Sequence, residues 1–183
     1  MKVIGWDIGG ANTKVAFLAT RNGYVRELRT ASKYFPIWKN PDQLYTVLTD
    51  LRNQISGSEA LDCVGVTMTA ELSDTYGTKR EGVNHVLAQV VQAFPASRVL
   101  VLDVEAELRS LDEAKANPLR VAAGNWAATG WMVSKLLGYN HLEATPFSFF
   151  DHSHTGIPRI AHGFYNNEML SASEGLHGVG MMI

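Results

Sequence analysis

A chain of 183 residues with 46% hydrophobic content is long enough to bury a sizeable core, and it is expected to be a soluble globular protein of one large domain or a domain and a half. Sixteen basic and 18 acidic side chains leave a net charge of -2, which gives no electrostatic case for a nucleic-acid partner or an anionic membrane surface. The longest apolar runs fall short of the ~18 residues of a spanning helix, no signal-peptide pattern opens the chain, and a single cysteine, Cys63, excludes an internal disulfide and a cysteine-built zinc site.

The compartment expected from these features is the cytoplasm. In chain order, residues 2–7, 14–19 and 24–31 read as three strands, with the Arg21-Asn22-Gly23 turn joining the second to the third. Pro41 opens a helix whose apolar positions Leu44, Val47, Leu48, Leu51 and Ile55 follow helical spacing, and Gly57 closes it. Residues 61–68 form a buried strand that contains Cys63, a strand residue rather than a nucleophile. A second helix spans about 81–94, residues 98–103 form another strand, and 121–137 read as helical with interruptions at Gly124 and Gly130. Three antiparallel strands followed by βαβ units predict an α/β fold, a mixed sheet with helices on both faces.

The most informative stretch is VIGWDIGGANTK, residues 3–14, where an apolar strand runs into an acid, two glycines and a Thr-Lys pair. Gly9 and Gly10 offer backbone freedom and close approach to a phosphate, whose oxygens the turn amides and the Thr13 hydroxyl are placed to meet. Asp7, at the strand end, is placed to hold magnesium through water. The same residues also read as a β-hairpin with a glycine turn, and the two readings are compatible. Further on, Thr67, Thr69, Glu71, Ser73 and Asp74 gather at the carboxyl end of a strand, the edge where open α/β sheets bind ligands. The alternative there is a helix cap at Ser73 or Asp74 and a solvated turn at residues 79–81.

DIGGANTK, TMTAELSD with TKREGV, and NPLRVAAGNW together resemble the hydantoinase A/oxoprolinase-like proteins. The resemblance is to the branch of tetrahydromethanopterin-linked C1 transfer pathway proteins, which includes a methanofuran-biosynthesis synthase, and it covers about residues 1–132. It implies a ribonuclease H-like lobe of the actin, sugar kinase and Hsp70 type. It also implies a transferase chemistry: a furanmethyl diphosphate is attacked by the phenol oxygen of glutamyl-tyramine, and pyrophosphate leaves. In that reading Gly9, Gly10, Asn12 and Thr13, with Thr69, hold the diphosphate, Asp7 carries Mg2+, and Lys14 neutralises developing charge. Glu71 and Asp74 are the carboxylates expected to accept the phenol proton. Asn125 and Trp126 read either as substrate-positioning groups or as a helix cap and a core aromatic. The same fold also hosts ATP-dependent kinases and oxoprolinase-type amidohydrolases, which is the competing reading.

The resemblance further implies a second strand and glycine turn of the form Asp-x-Gly-Ser-Thr-Thr-Thr-Asp just after residue 126, and the chain has no such turn. Two units are therefore expected: an amino-terminal lobe over 1–137 and an atypical tail over 138–183, in which Arg159 is the only Lys or Arg. A truncated lobe, inactive alone, is the expectation for the isolated polypeptide, with self-association or docking onto a missing second lobe as its partner chemistry. In the tail, His152 and His154 beside Asp151, with His162 further on, read either as a zinc or iron site or as an incidental His-rich coil.

Overall fold

Ile4, Trp6 and Ile8 alternate with polar or small residues in the first strand, and all three are buried to within 2% of full enclosure. That period of two commits one sheet face to the core. The computed structural model describes residues 1–137. Six strands form one sheet: β1 Lys2–Ile8, β2 Asn12–Arg21, β3 Tyr24–Tyr34, β4 Cys63–Met68, β5 Val99–Leu102 and β6 Leu108–Ser110. Five helices accompany them: α1 Leu44–Ser56, α2 Lys79–Ala93, α3 Leu111–Ala116, α4 Pro118–Val121 and α5 Asn125–Leu137.

The sheet order is β3-β2-β1-β4-β5-β6. β1, β2 and β3 form the antiparallel meander, β4 lies parallel to β1 and β5 parallel to β4, and β6 closes the edge antiparallel to β5. This is the mixed ribonuclease H-like sheet expected from the sequence, a hairpin meander followed by crossovers through helices. Val15, Phe17, Val64, Val66, Met68 and Val101 join the β1 alternation on the core face. Helix α1 seats Leu44, Val47, Leu48, Leu51 and Ile55 in that core, and Phe94, just beyond α2, packs its ring 5.7 Å from Trp6. The start of α5 lies against the other face, where a Cβ on Gly124 would stand 3.3 Å from the Thr67 hydroxyl.

Local chemistry sets the element ends. Gly57 ends α1 with φ of 56°, a left-handed angle suited to glycine. Helix α2 begins earlier than the spacing suggested: Thr78 caps it by accepting from the Glu81 amide, so residues 79–81 are its first turn rather than a loop. The stretch 121–137 is not one helix. Val121 ends α4, a left-handed Ala123 (φ 56°) makes a corner, and α5 follows, running through Gly130 without the expected interruption. Cys63 sits in β4 as expected but is half-buried rather than enclosed. No helix among the described residues is long and apolar enough to cross a membrane. His152 and His154 lie outside the described residues.

Candidate functional site

The carboxyl ends of the parallel strands β1 and β4 meet at one edge of the sheet. There the β1–β2 turn and the segment after β4 enclose a cleft of about 390 Å³, lined by Gly10, Ala11, Trp38, Thr69, Leu72, Ser73 and Asp74. The turn is closed by the Gly9 amide donating to the Asn12 carbonyl at 3.0 Å. Gly9 and Gly10 do not take left-handed angles, contrary to the expectation of special backbone freedom. Gly9 is required for a different reason: a Cβ there would stand 2.9 Å from the Asn12 carbonyl oxygen, closer than real contacts allow. At Gly10 a Cβ would meet nothing, because that side opens to the cleft.

The carbonyls of Gly10 and Ala11 are drawn away by the amides of Ile37 and Phe35, each at 2.9 Å. Neither the Gly10 nor the Ala11 amide donates to a partner among the described residues. Both residues line the cleft, and adjacent free amides in a turn are groups that an anion could meet. Of the turn amides, that of Gly9 is occupied in closing the turn, and those of Gly10 and Ala11 are free among the described residues.

Thr13 lies in β2, opposite Ile8, and its hydroxyl is turned into the core with no partner. The expectation placed this strand's start at Lys14. The ladder begins at Asn12 instead, and strand alternation sends Thr13 to the face opposite Asp7. Asn12 itself is exposed. Lys14 and Asp7 are cross-strand partners, and the ammonium donates to Asp7 Oδ2 at 2.8 Å.

Asp7 is 5% exposed, and its Oδ1 has no hydrogen-bond partner. Its parallel neighbour in β4, Thr67, likewise buries a hydroxyl with no partner. Buried polar atoms are ordinarily satisfied, so this orphaned pair beside the turn is where a water or an ion could complete the bonding. One carboxylate oxygen, with water and phosphate oxygens for the rest, is a donor set that suits Mg2+.

The segment after β4 supplies the other wall. Thr69 donates its amide to the Ile8 carbonyl at 3.0 Å, and its hydroxyl receives the Asn125 side-chain amide at 3.4 Å, which ties the start of α5 to the cleft. Ser73 Oγ is buried and without a partner at the cleft lining. Asp74 is exposed and lines the cleft. Glu71 is 1% exposed and accepts from the Ala123 amide at 2.6 Å through Oε1, while Oε2 has no partner. Burial holds its carboxyl above the ordinary carboxylate range. Gly82 of α2 packs directly on it, since a Cβ there would lie 2.7 Å from Glu71 Cα.

A hydrogen-bonded chain links the elements that flank α2. With His85 Nε2 donating to Asp42 Oδ1 (3.2 Å), His85 Nδ1 accepts from the Tyr76 hydroxyl (2.8 Å). This joins the entry to α1 with the loop leading to α2. Burial, ahead of Asp42, Glu71 and Glu81, pushes the Tyr76 phenol up. At the far end of the sheet Asp103, Glu105 and Glu107 gather three carboxylates. Asp103 is already satisfied there, by Arg109 Nε at 2.7 Å, Arg120 Nε at 2.9 Å and the amides of Glu105 and Glu107. Burial opposes its charge, yet the Glu107 amide and both guanidinium groups hold its carboxyl below the ordinary range. The cluster is an ion-pair network that fixes β6 to α4 rather than a vacant ligand set.

Ala11, Trp38 and Leu72 are the lining residues that motif reading did not single out. The signal for Trp38 was the aromatic YFPIW stretch, an apolar run with a proline between a strand and a helix.

No family model matches the chain. Over 135 residues, 74% of its length, the chain is 38% identical to the (4-{4-[2-(gamma-L-glutamylamino)ethyl]phenoxymethyl}furan-2-yl)methanamine synthase of Methanocaldococcus jannaschii, and it spans 37% of that relative. Among solved structures it is similar to a Ppx/GppA family member of Aquifex aeolicus (14% identity, 54% of this chain and 34% of that one, TM-score 0.35). It is also similar to RuvC of T. thermophilus with a Holliday junction substrate (16%, 79% and 82%, TM-score 0.37) and to a putative N-acetylglucosamine kinase of Porphyromonas gingivalis (13%, 95% and 71%, TM-score 0.38). Likenesses of that size carry no functional argument, and the fold rests on the strand order itself.

Proposed function

We propose that this chain carries the diphosphate-binding lobe of a transferase that joins a furanmethyl diphosphate to the phenol of glutamyl-tyramine. The observation that carries the reading is the pair of free amides at Gly10 and Ala11, in a chain 38% identical over 135 residues to a synthase whose name describes a phenoxymethyl-furan product. The bond formed in such a product joins the phenol oxygen to the furan methylene carbon. The bond broken is that carbon's link to diphosphate, which departs with the electron pair as pyrophosphate. The phenol proton goes to a carboxylate.

In this reading the Gly10 and Ala11 amides, with Asn12 at the turn, receive the diphosphate oxygens, and Thr69 offers a hydroxyl at the cleft wall. Asp7 is the residue that would hold Mg2+, an ion that neutralises charge on a departing diphosphate. Lys14, paired with Asp7, adds a positive charge beside the turn. Of the two carboxylates, Asp74 is the proton acceptor because it lines the cleft, and Glu71 is a positioning residue because its carboxylate is engaged with the Ala123 amide inside the protein.

Calorimetric titration of the full 183-residue chain with pyrophosphate and, separately, with ATP, each with magnesium, tests the reading. Binding of pyrophosphate with little or no binding of ATP supports it. Binding of ATP alone overturns it in favour of a nucleotide-dependent enzyme.

A further inference from the structure

Residues 35–38 form a strap across the glycine turn, and its bonding pattern decides where its side chains go. Phe35 and Ile37 spend their amides on the Ala11 and Gly10 carbonyls at 2.9 Å, and their side chains are 7% and 0% exposed. Trp38 follows them and is left 47% exposed at the cleft lining. An indole is costly to leave in water, and here it is held there by a segment fixed through two backbone bonds to the glycine turn. Across the cleft stands Leu72, also 46% exposed, on the segment after β4. The cleft thus presents two apolar walls directly beside two free amides.

From this juxtaposition we infer that Trp38 is the ring-recognising wall of the cleft: it stacks on a flat heteroaromatic group carried by a ligand whose phosphate rests on Gly10 and Ala11. The inference rests on the diphosphate reading above and adds to it the residue that selects the organic part of the ligand. A volume of about 390 Å³ is enough for a diphosphate and one small ring system. Stacking on an indole face is indifferent to the ring's edge chemistry, so a furan and a purine both satisfy the wall, and only measurement separates these two sources.

The test compares the wild-type chain with Trp38→Ala and Trp38→Phe. Pyrophosphate, furan-2-ylmethyl diphosphate and ADP are each titrated with magnesium, followed by calorimetry, with indole fluorescence as a second readout. Trp38 is exposed and its strap is held by backbone bonds, so both variants are expected to keep the far-ultraviolet circular dichroism of the wild type. The expected result is tighter wild-type binding of the furan diphosphate than of pyrophosphate. Trp38→Ala then weakens the furan diphosphate about tenfold and leaves pyrophosphate unchanged, and Trp38→Phe restores most of the loss. The same Trp38 dependence seen with ADP instead upholds the stacking wall and assigns the ring to a nucleotide. Equal affinity for pyrophosphate and both ring-bearing ligands, untouched by Trp38→Ala, overturns the wall while the diphosphate reading stands. Binding of none of the three by the wild type removes the diphosphate reading and the inference with it.

Discussion

Glu71 separates a carboxylate that braces from one that reacts, and the two roles respond differently to substitution. Its Oε1 is the acceptor for the buried Ala123 amide at 2.6 Å, at the left-handed corner that launches α5 and with it the Asn125 contact to Thr69. Glu71→Ala leaves that amide unsatisfied, at about 1–3 kcal/mol. It also removes one buried methylene worth about 0.8 kcal/mol, and it relieves the buried carboxylate of its desolvation. The expected net loss is about 2–3 kcal/mol. Glu71→Gln keeps an oxygen acceptor of the same shape and carries no charge, so its stability is expected within about 1 kcal/mol of wild type. The pH dependence has a definite sign. The folded carboxyl sits above its unfolded value, so the wild type's stability from this group is complete below about pH 4.5 and is lost as pH rises through the folded value. Relative to wild type, Glu71→Gln therefore gains stability between about pH 4.5 and pH 7. Urea unfolding followed by circular dichroism at pH 5 and pH 7 measures both effects. Equal destabilisation by Gln and Ala, or an Ala variant as stable as wild type, would refute the bracing role.

Gly9→Ala is expected to destabilise the fold by about 1–3 kcal/mol, because the new methyl meets the Asn12 carbonyl oxygen at 2.9 Å and the turn is closed by a backbone bond that cannot give way cheaply. A thermal melt checks it, and an unchanged midpoint would contradict the turn geometry. Asp103→Asn is expected to lower stability at neutral pH by weakening the ion pairs to Arg109 and Arg120. Since the folded Asp103 carboxyl lies below its unfolded value, the gap to wild type is present above about pH 4 and closes as pH falls through the folded value. Melts at pH 7 and pH 3 read the difference directly.

Much of the fold was legible because it is written in short-range patterns. The alternation in IGWDIG, the Asn22-Gly23 turn and the spacing of Leu44, Val47, Leu48, Leu51 and Ile55 each need only a few neighbouring residues to be read. The elements from β6 to α4 were missed, although Ser110 and Glu113 form a capping box that announces the start of α3. Their position depends on Asp103 gripping Arg109 and Arg120, a bond between residues 6 and 17 positions away. At the candidate site, motif chemistry singled out the turn and Asp74, which line the cleft, but the direction of Thr13 was not legible. The ladder begins at Asn12, two residues before the expected Lys14, so Thr13 belongs to the strand and strand alternation turns its hydroxyl to the core. Trp38 was equally hidden, since its placement depends on the carbonyls of Gly10 and Ala11, 28 and 27 residues earlier in the chain.

Gly10→Ala tests directly whether the free amides of Gly10 and Ala11 hold a diphosphate, because the added methyl meets no protein atom and stands on the side that opens to the cleft. Calorimetry of wild type and Gly10→Ala with magnesium pyrophosphate is predicted to show binding by the first and a loss of at least tenfold in the second, with the two melting at the same temperature. Undiminished pyrophosphate binding by the stable Gly10→Ala variant would contradict the claim and place the diphosphate elsewhere.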